Sequence, residues 1–218
     1  MPWSEHVARE RDRYEDGARR LPDDPDTRQK QLVRMGSAAG AVGLALLMDG
    51  RDGEAREWLA RSAERHRESY AGAPSGSWGR LIGALKARLL AGDAEGAAVD
   101  ARWALDQLGS GVESPVGRYA QVLALLALGR DGEAEPVARS LTGEPPDAFP
   151  ADVAAALRAL ATGDAAAYDA AVRAVLASFE ARDEYLEGIP AADTVLALQA
   201  LAAPRGLTVS LRSPLLPA

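Results

Sequence analysis

Apolar residues recur at spacings of three and four along most of the chain, the pattern of helices that each bury one stripe. Val7, Tyr14 and Ala18 share a face of a first helix predicted from Ser4, its N-cap, to about Arg20. The alternating charges between Arg9 and Arg13 read as its solvated side. Leu21-Pro22-Asp23-Asp24-Pro25 breaks the chain, and Asp26 with Gln29 predicts a capping box for a second helix over about Thr27 to Met48. Ala55, Trp58, Leu59 and Ser62 mark its partner, and Trp78, Ile82, Leu85 and Leu89 the stripe that follows. A helix from Asp93 to about Leu108 comes next, and Ser114-Pro115 is an N-cap and N1 pair for the one carrying Tyr119, Val122, Leu123 and Leu126. Further helices are predicted over Ala134 to Leu141, Ala151 to Thr162 and Asp164 to Asp183, and Asp193 is predicted to cap a last one over Thr194 to Ala203. Beyond it Leu207, Val209 and Leu211 alternate with Thr208, Ser210 and Arg212, a short β-like pattern that would need a partner.

The connections repeat. Gly50-Arg51-Asp52-Gly53-Glu54-Ala55 recurs letter for letter at Gly129-Arg130-Asp131-Gly132-Glu133-Ala134, and weaker copies start at Gly92-Asp93 and Gly163-Asp164. Each copy closes one apolar run and opens another, so it reads as the turn of a repeated helix pair, with Gly ending one helix, Asp capping the next and Ala allowing close packing. Gly36, Gly40 and Gly43 fall inside a helix, where each costs about 1 kcal/mol relative to Ala, and their spacing predicts close approach by a neighbouring helix.

Composition narrows the fold class to all-α. Apolar residues make up 47% of the 218 and aromatics only 5%, a balance that suits packed helices better than a β-sandwich. The formal charge of −7 argues against nucleic acid and anionic membrane as partners, and the absence of cysteine excludes disulfides, thiol nucleophiles and zinc-thiolate sites. The first residues lack the apolar core of a signal peptide, and the small-or-apolar run Ser37 to Met48 is shorter than the roughly 20 residues of a membrane span, so a cytoplasmic protein is expected.

The helix pairs resemble the tetratricopeptide repeat class. Gly43, Ala55 and Leu59 match its small-residue and alanine positions, Leu85 and Ala97 match less closely, and Val122 and Tyr168 depart from the pattern. That resemblance implies antiparallel helix pairs stacked as a short right-handed α-solenoid. With it goes a single all-helical domain over residues 1-218: N-terminal helices over 4-48, helix-pair repeats over about 35-183, and a C-terminal helix and short extended tail over 193-218. The last forty or so residues resemble the immunity 49 family through Arg182, Tyr185-Leu186, Asp193, Leu198, Leu201-Ala202, Arg205-Gly206 and Ser213-Pro214-Leu215-Leu216-Pro217. The family's all-helical members neutralise toxins in bacterial polymorphic toxin systems, so this resemblance implies inhibition of a partner rather than catalysis.

Chemistry is sparse. His6 and His66 are the only histidines, lie in no metal-ligand spacing and read as surface residues. No nucleophile elbow, phosphate loop or dinucleotide fingerprint occurs. The acidic group Glu180, Asp183, Glu184 and Glu187 reads as a solvated helix end. Lys86, flanked by Leu81, Ile82, Leu85, Leu89 and Leu90, is the polar residue that the helical pattern explains least. Arg80, Lys86 and Tyr119 are therefore the candidate partner-binding residues, facing an acidic or carboxylate-bearing ligand, whereas a structural reading has Lys86 laying its stem on apolar neighbours. No catalytic residue, metal site or cofactor is expected. The leading expectation is a non-enzymatic scaffold binding a protein or peptide, in its sharper form a toxin-neutralising immunity protein. The alternatives are a helical enzyme or metal-binding protein using carboxylates, and a structural homo-oligomer joined through Leu207 to Leu216.

Overall fold

The structure is a computed structural model that describes residues 2–109 and 111–218. The chain is all-helical: α1 (Trp3–Arg19), α2 (Pro25–Met48), α3 (Asp52–Tyr70), α4 (Trp78–Leu90), α5 (Ala94–Leu108), α6 (Pro115–Ala127), α7 (Asp131–Leu141), α8 (Ala151–Thr162), α9 (Ala165–Glu180) and α10 (Asp193–Ala202). Single 3₁₀ turns lie at Leu186–Gly188 and Ala203–Arg205. The helices fall into two compact units, one of Met1–Gly92, Asp183–Asp193 and Arg212–Ala218, the other of Asp93–Arg182 and Thr194–Leu211.

In the first unit α2 packs against both α1 and α3, and α3 against α4. Val42, Ala45 and Leu46 of α2 meet Val7, Ala55 and Trp58, and Ile189 and Ala191 of the returning segment join the same core. The α2 glycines admit α3 closely: a Cβ at Gly43 would stand 2.5 Å from Leu59 Cγ. The Ser62 hydroxyl donates to the Gly36 carbonyl at 2.8 Å. α2 extends well beyond the Ser37 to Met48 run and is long and apolar enough, by length and composition, to cross a membrane. Its most apolar window is 61% buried within the protein, as in a core helix.

In the second unit α6 packs on α5 and α7, and α8 on α7 and α9. Val122, Leu123, Leu126, Leu157 and Leu160 are completely or almost completely buried. Tyr168, which departs from the repeat pattern, is fully buried and donates its hydroxyl to Gln199 Oε1 at 3.1 Å. Burial raises its pKa, which keeps the phenol protonated as a donor. That glutamine supplies the partner the alternating segment requires. Its oxygen accepts from the Val209 N–H at 3.1 Å and its amide donates to the Val209 carbonyl, so one side chain does the work of a ladder pair. No strand forms among the described residues, although Leu207, Val209 and Leu211 are half-buried and Thr208, Ser210 and Arg212 exposed, as the alternation predicts.

The turns explain the repeated hexapeptide and correct its capping. Gly50 and Gly129 adopt φ +72° and +68°, a left-handed geometry that glycine enters without Cβ strain. Their N–H groups reach Leu47 and Leu126 at 3.1 Å, and the next N–H groups, of Arg51 and Arg130, reach Leu46 and Leu125 at 2.9 Å, closing a Schellman motif. The residue after the glycine therefore becomes the N-cap. In the exact copies this is arginine, which makes no side-chain cap and forks onto Glu54 or Glu133 instead. Asp52 and Asp131 sit one position too late to cap. In the weaker copies Asp93 and Asp164 occupy that position and accept from Gly96 N at 2.9 Å and Ala167 N at 3.0 Å.

Three other predicted caps shift for similar local reasons. α1 starts at Trp3 after Pro2 with no side-chain cap from Ser4. Asp24, not Asp26, caps α2, accepting from Thr27 N at 2.9 Å, because Pro25 fits N1 and Asp26 turns to Lys30 at 2.7 Å. Asp193 is the first residue of α10 rather than its cap, and its carboxylate pairs with Lys86. Ser114 caps α6 as predicted, accepting from Gly117 N at 3.1 Å.

Candidate functional site

On α4, Leu81, Ala84 and Leu85 turn wholly into the core, while Arg80, Gly83, Lys86 and Leu90, three or four residues apart, share another face. That face, with Gly36, Gly40 and Leu44 of α2 and Ser62 and His66 of α3, lines a cavity of about 520 Å³. Leu186, Glu187 and Asp193 of the returning segment complete the wall. The volume is that of a small-ligand site, and most of the wall is apolar.

His66, expected at the surface, sits at the glycine positions of this wall. A Cβ at Gly36 would lie 3.1 Å from the imidazole and one at Gly83 2.8 Å, so the ring occupies room that two missing side chains leave. Its Nδ1 is shut off from solvent with no hydrogen-bond partner among the described residues. Burial, reinforced by the Arg80 charge, lowers the His66 pKa to about 4, so the ring is neutral at pH 7. His6, also expected at the surface, is buried. It is 5% exposed beside Trp3, with ring centroids 5.5 Å apart, and burial lowers its pKa too.

Four side chains that carry charge at neutral pH line the cavity. Lys86 pairs with Asp193, both only 15% exposed in their side chains, so the lysine that the helical pattern left unexplained answers a carboxylate far along the chain. Glu187 pairs with Arg13, and its carbonyl accepts from Arg9 at 3.1 Å. These contacts hold Glu187 at φ 53°, a left-handed conformation costing a non-glycine residue roughly 1–2 kcal/mol. The neighbouring Leu186 is 74% exposed although it borders the cavity. Arg80 donates to the Ser69 carbonyl and to Gln29 Oε1, both neutral, and no described carboxylate pairs with it. Desolvation pulls its pKa down.

Of the three residues singled out from sequence, Arg80 and Lys86 line the same cavity. Tyr119 belongs to the second unit, on α6, with its ring 5.4 Å from that of Phe149. Sequence reasoning missed His66, Glu187 and Asp193 as wall residues. The available signal was the helical glycines Gly36 and Gly83, which leave space that some larger side chain must enter. Two of the wall serines are engaged with backbone: Ser62 donates to the Gly36 carbonyl, and Ser77 to Pro74 O at 2.7 Å. Among the described residues no group of three or more His, Asp or Glu is placed to hold a metal ion. What the arrangement can do is desolvate an apolar body and offer it one cation and one neutral imidazole. Comparison with protein families, with curated proteins and with solved structures finds no match to this chain.

Proposed function

We propose that this chain is a non-enzymatic, protein-binding scaffold of tetratricopeptide-like helix pairs. The observation that carries the reading is the recurrence of one turn: left-handed glycines at Gly50, Gly92, Gly129 and Gly163 each close one helix just before the next begins. Repeated pairs of this kind offer extended faces built from the same helix of successive pairs, and Arg80 and Lys86 lie on one such helix. The partner is a protein or peptide presenting acidic groups, and the protein works in the cytoplasm without a cofactor. Neutralisation of a toxin is the sharper form of the proposal, supported by the resemblance of the last forty or so residues.

The test is affinity purification from the native organism with wild type, Arg80→Gln and Lys86→Met, with helicity checked by circular dichroism. One stoichiometric partner retained by wild type and lost by the variants is expected. Equal retention by all three removes these residues from the interface. Absence of any stoichiometric partner sinks the scaffold reading, and a toxin domain among the retained proteins supports its sharper form.

A further inference from the structure

The cavity in the first unit is sized for a small molecule, and its wall is built rather than left over. Here Gly36 and Gly83 admit the His66 imidazole between two helices and Gly40 admits Ser62, each glycine at a cost in helix stability, and about 520 Å³ stays open beside them. Arg80 and Leu90 lie at opposite ends of about 15 Å of α4, and the side chains between and opposite them, among them Ile82, Leu44 and Val33, are mainly apolar. The charges further along the wall, Lys86 with Asp193 and Glu187 with Arg13, are paired, so the Arg80 end carries the charge that no described carboxylate answers.

Its electrostatics select a sign. Lys86 and Glu187 are neutralised by Asp193 and Arg13, so Arg80 is the one charge on the wall that no described carboxylate answers. In a chain of net charge −7, an arginine held by two neutral acceptors beside an apolar cavity is an anion seat prepared in advance. The Nδ1 of His66 on the same wall is a second polar group for which the described residues supply no partner.

We propose that this cavity binds a free amphiphilic carboxylate of medium chain length, its carboxylate on the Arg80 guanidinium and its alkyl body running along α2 and α4 toward Leu90. The guanidinium keeps N–H donors beyond the two already used, enough to meet a carboxylate. Apolar burial supplies the bulk of the affinity and the arginine supplies the choice of headgroup. This site takes a free small molecule at an arginine that the protein partner proposed above also uses, and binding of the small probes is measured without that partner.

The probes are decanoate and the uncharged decanol, titrated calorimetrically into the purified full chain at pH 7. Decanoate is expected to bind saturably and about tenfold more tightly than decanol, the margin of one charge-assisted hydrogen bond. Arg80→Gln should bring decanoate down to the decanol level. Because that change also removes contacts to Ser69 and Gln29, Ser37→Phe, which fills the cavity from α2, is the second variant; it should abolish binding of both probes while the thermal unfolding midpoint is kept. The two histidines provide a spectroscopic readout: decanoate should move the His66 imidazole resonances and leave those of His6 in place. No saturable binding, equal affinity for the two probes, unaltered binding by Ser37→Phe or an unmoved His66 would each overturn the proposal.

Discussion

The first and third turns share six consecutive residues and one geometry, yet the helix pairs they join are packed by opposite means. Aligned on the turn glycines, Gly43 and Leu59 of α2 and α3 correspond to Val122 and Ala138 of α6 and α7. In one pair the small residue is on the first helix and the large one on the second; in the other the order is reversed, and Leu59, Val122 and Ala138 are all buried. The same alignment sets Gly40 and Ser62 against Tyr119 and Leu141. Gly40 and Ser62 border the cavity, whereas Leu141 is buried and Tyr119 packs on Phe149. A turn is a local motif and can be copied unchanged. A packed face is judged only by the helix opposite, so volume can move from one side to the other, and in the first pair part of it was left out.

The largest expected difference between the two units is in truncation. Leu157→Ala on α8, fully buried, should cost about 3 kcal/mol, whereas Ile82→Ala, already facing the cavity, should cost about 1 kcal/mol. Urea denaturation of both variants checks this, and equal costs would mean that the space beside Ile82 is filled in solution.

Acid should expose the neutral imidazole next. The folded His66 pKa of about 4 lies below the unfolded value of about 6.5, so between them the unfolded chain holds more protons. Stability is therefore complete above pH 6.5 and falls as pH drops toward 4, by roughly 3 kcal/mol from this residue alone. His66→Gln should lose that component while His6 contributes to both proteins alike. Parallel pH–stability curves for wild type and variant would show that His66 is solvated.

A smaller effect tests the likeness of the turns. Gly50→Ala and Gly129→Ala should each cost about 1–2 kcal/mol and agree with one another, since both glycines have the same positive φ and no nearby atom for a Cβ to meet. Distinctly unequal losses of midpoint would mean that the surrounding helices alter the turns. The smallest contrast lies two residues further on. Arg205, 11% exposed in its side chain, grips the Asp131 carboxylate and donates to the Leu126 carbonyl at 2.8 Å, while Asp52 is exposed at the start of α3. Asp131→Asn should cost about 1 kcal/mol and Asp52→Asn less than about 0.5 kcal/mol. A double-mutant cycle with Arg205→Met should show coupling at Asp131 alone.

Much of the fold could be read along the chain because helix spans and turns depend on neighbours within a few residues. The apolar stripes placed all the long helices to within a few residues, and Pro and Gly marked their ends. The caps were less legible. A capping residue is set by one position of backbone geometry, which is how Pro25 moved the α2 cap to Asp24 and how the arginines displaced Asp52 and Asp131. The candidate site was legible in part: Arg80 and Lys86 stood out as cations in an apolar helix, but nothing near them in the sequence foretold Asp193 or Glu187.

By itself, then, the sequence determined the all-helical class, the repeated turn and the alternation of the C-terminal segment, since each is a matter of short-range stereochemistry and hydrophobic period. Tertiary structure alone decided which charges are answered, that His66 is neutral between two glycines, and that Gln199 stands in for a strand beside Val209. Those outcomes depend on desolvation and on partners brought together from distant parts of the chain, which no local pattern encodes.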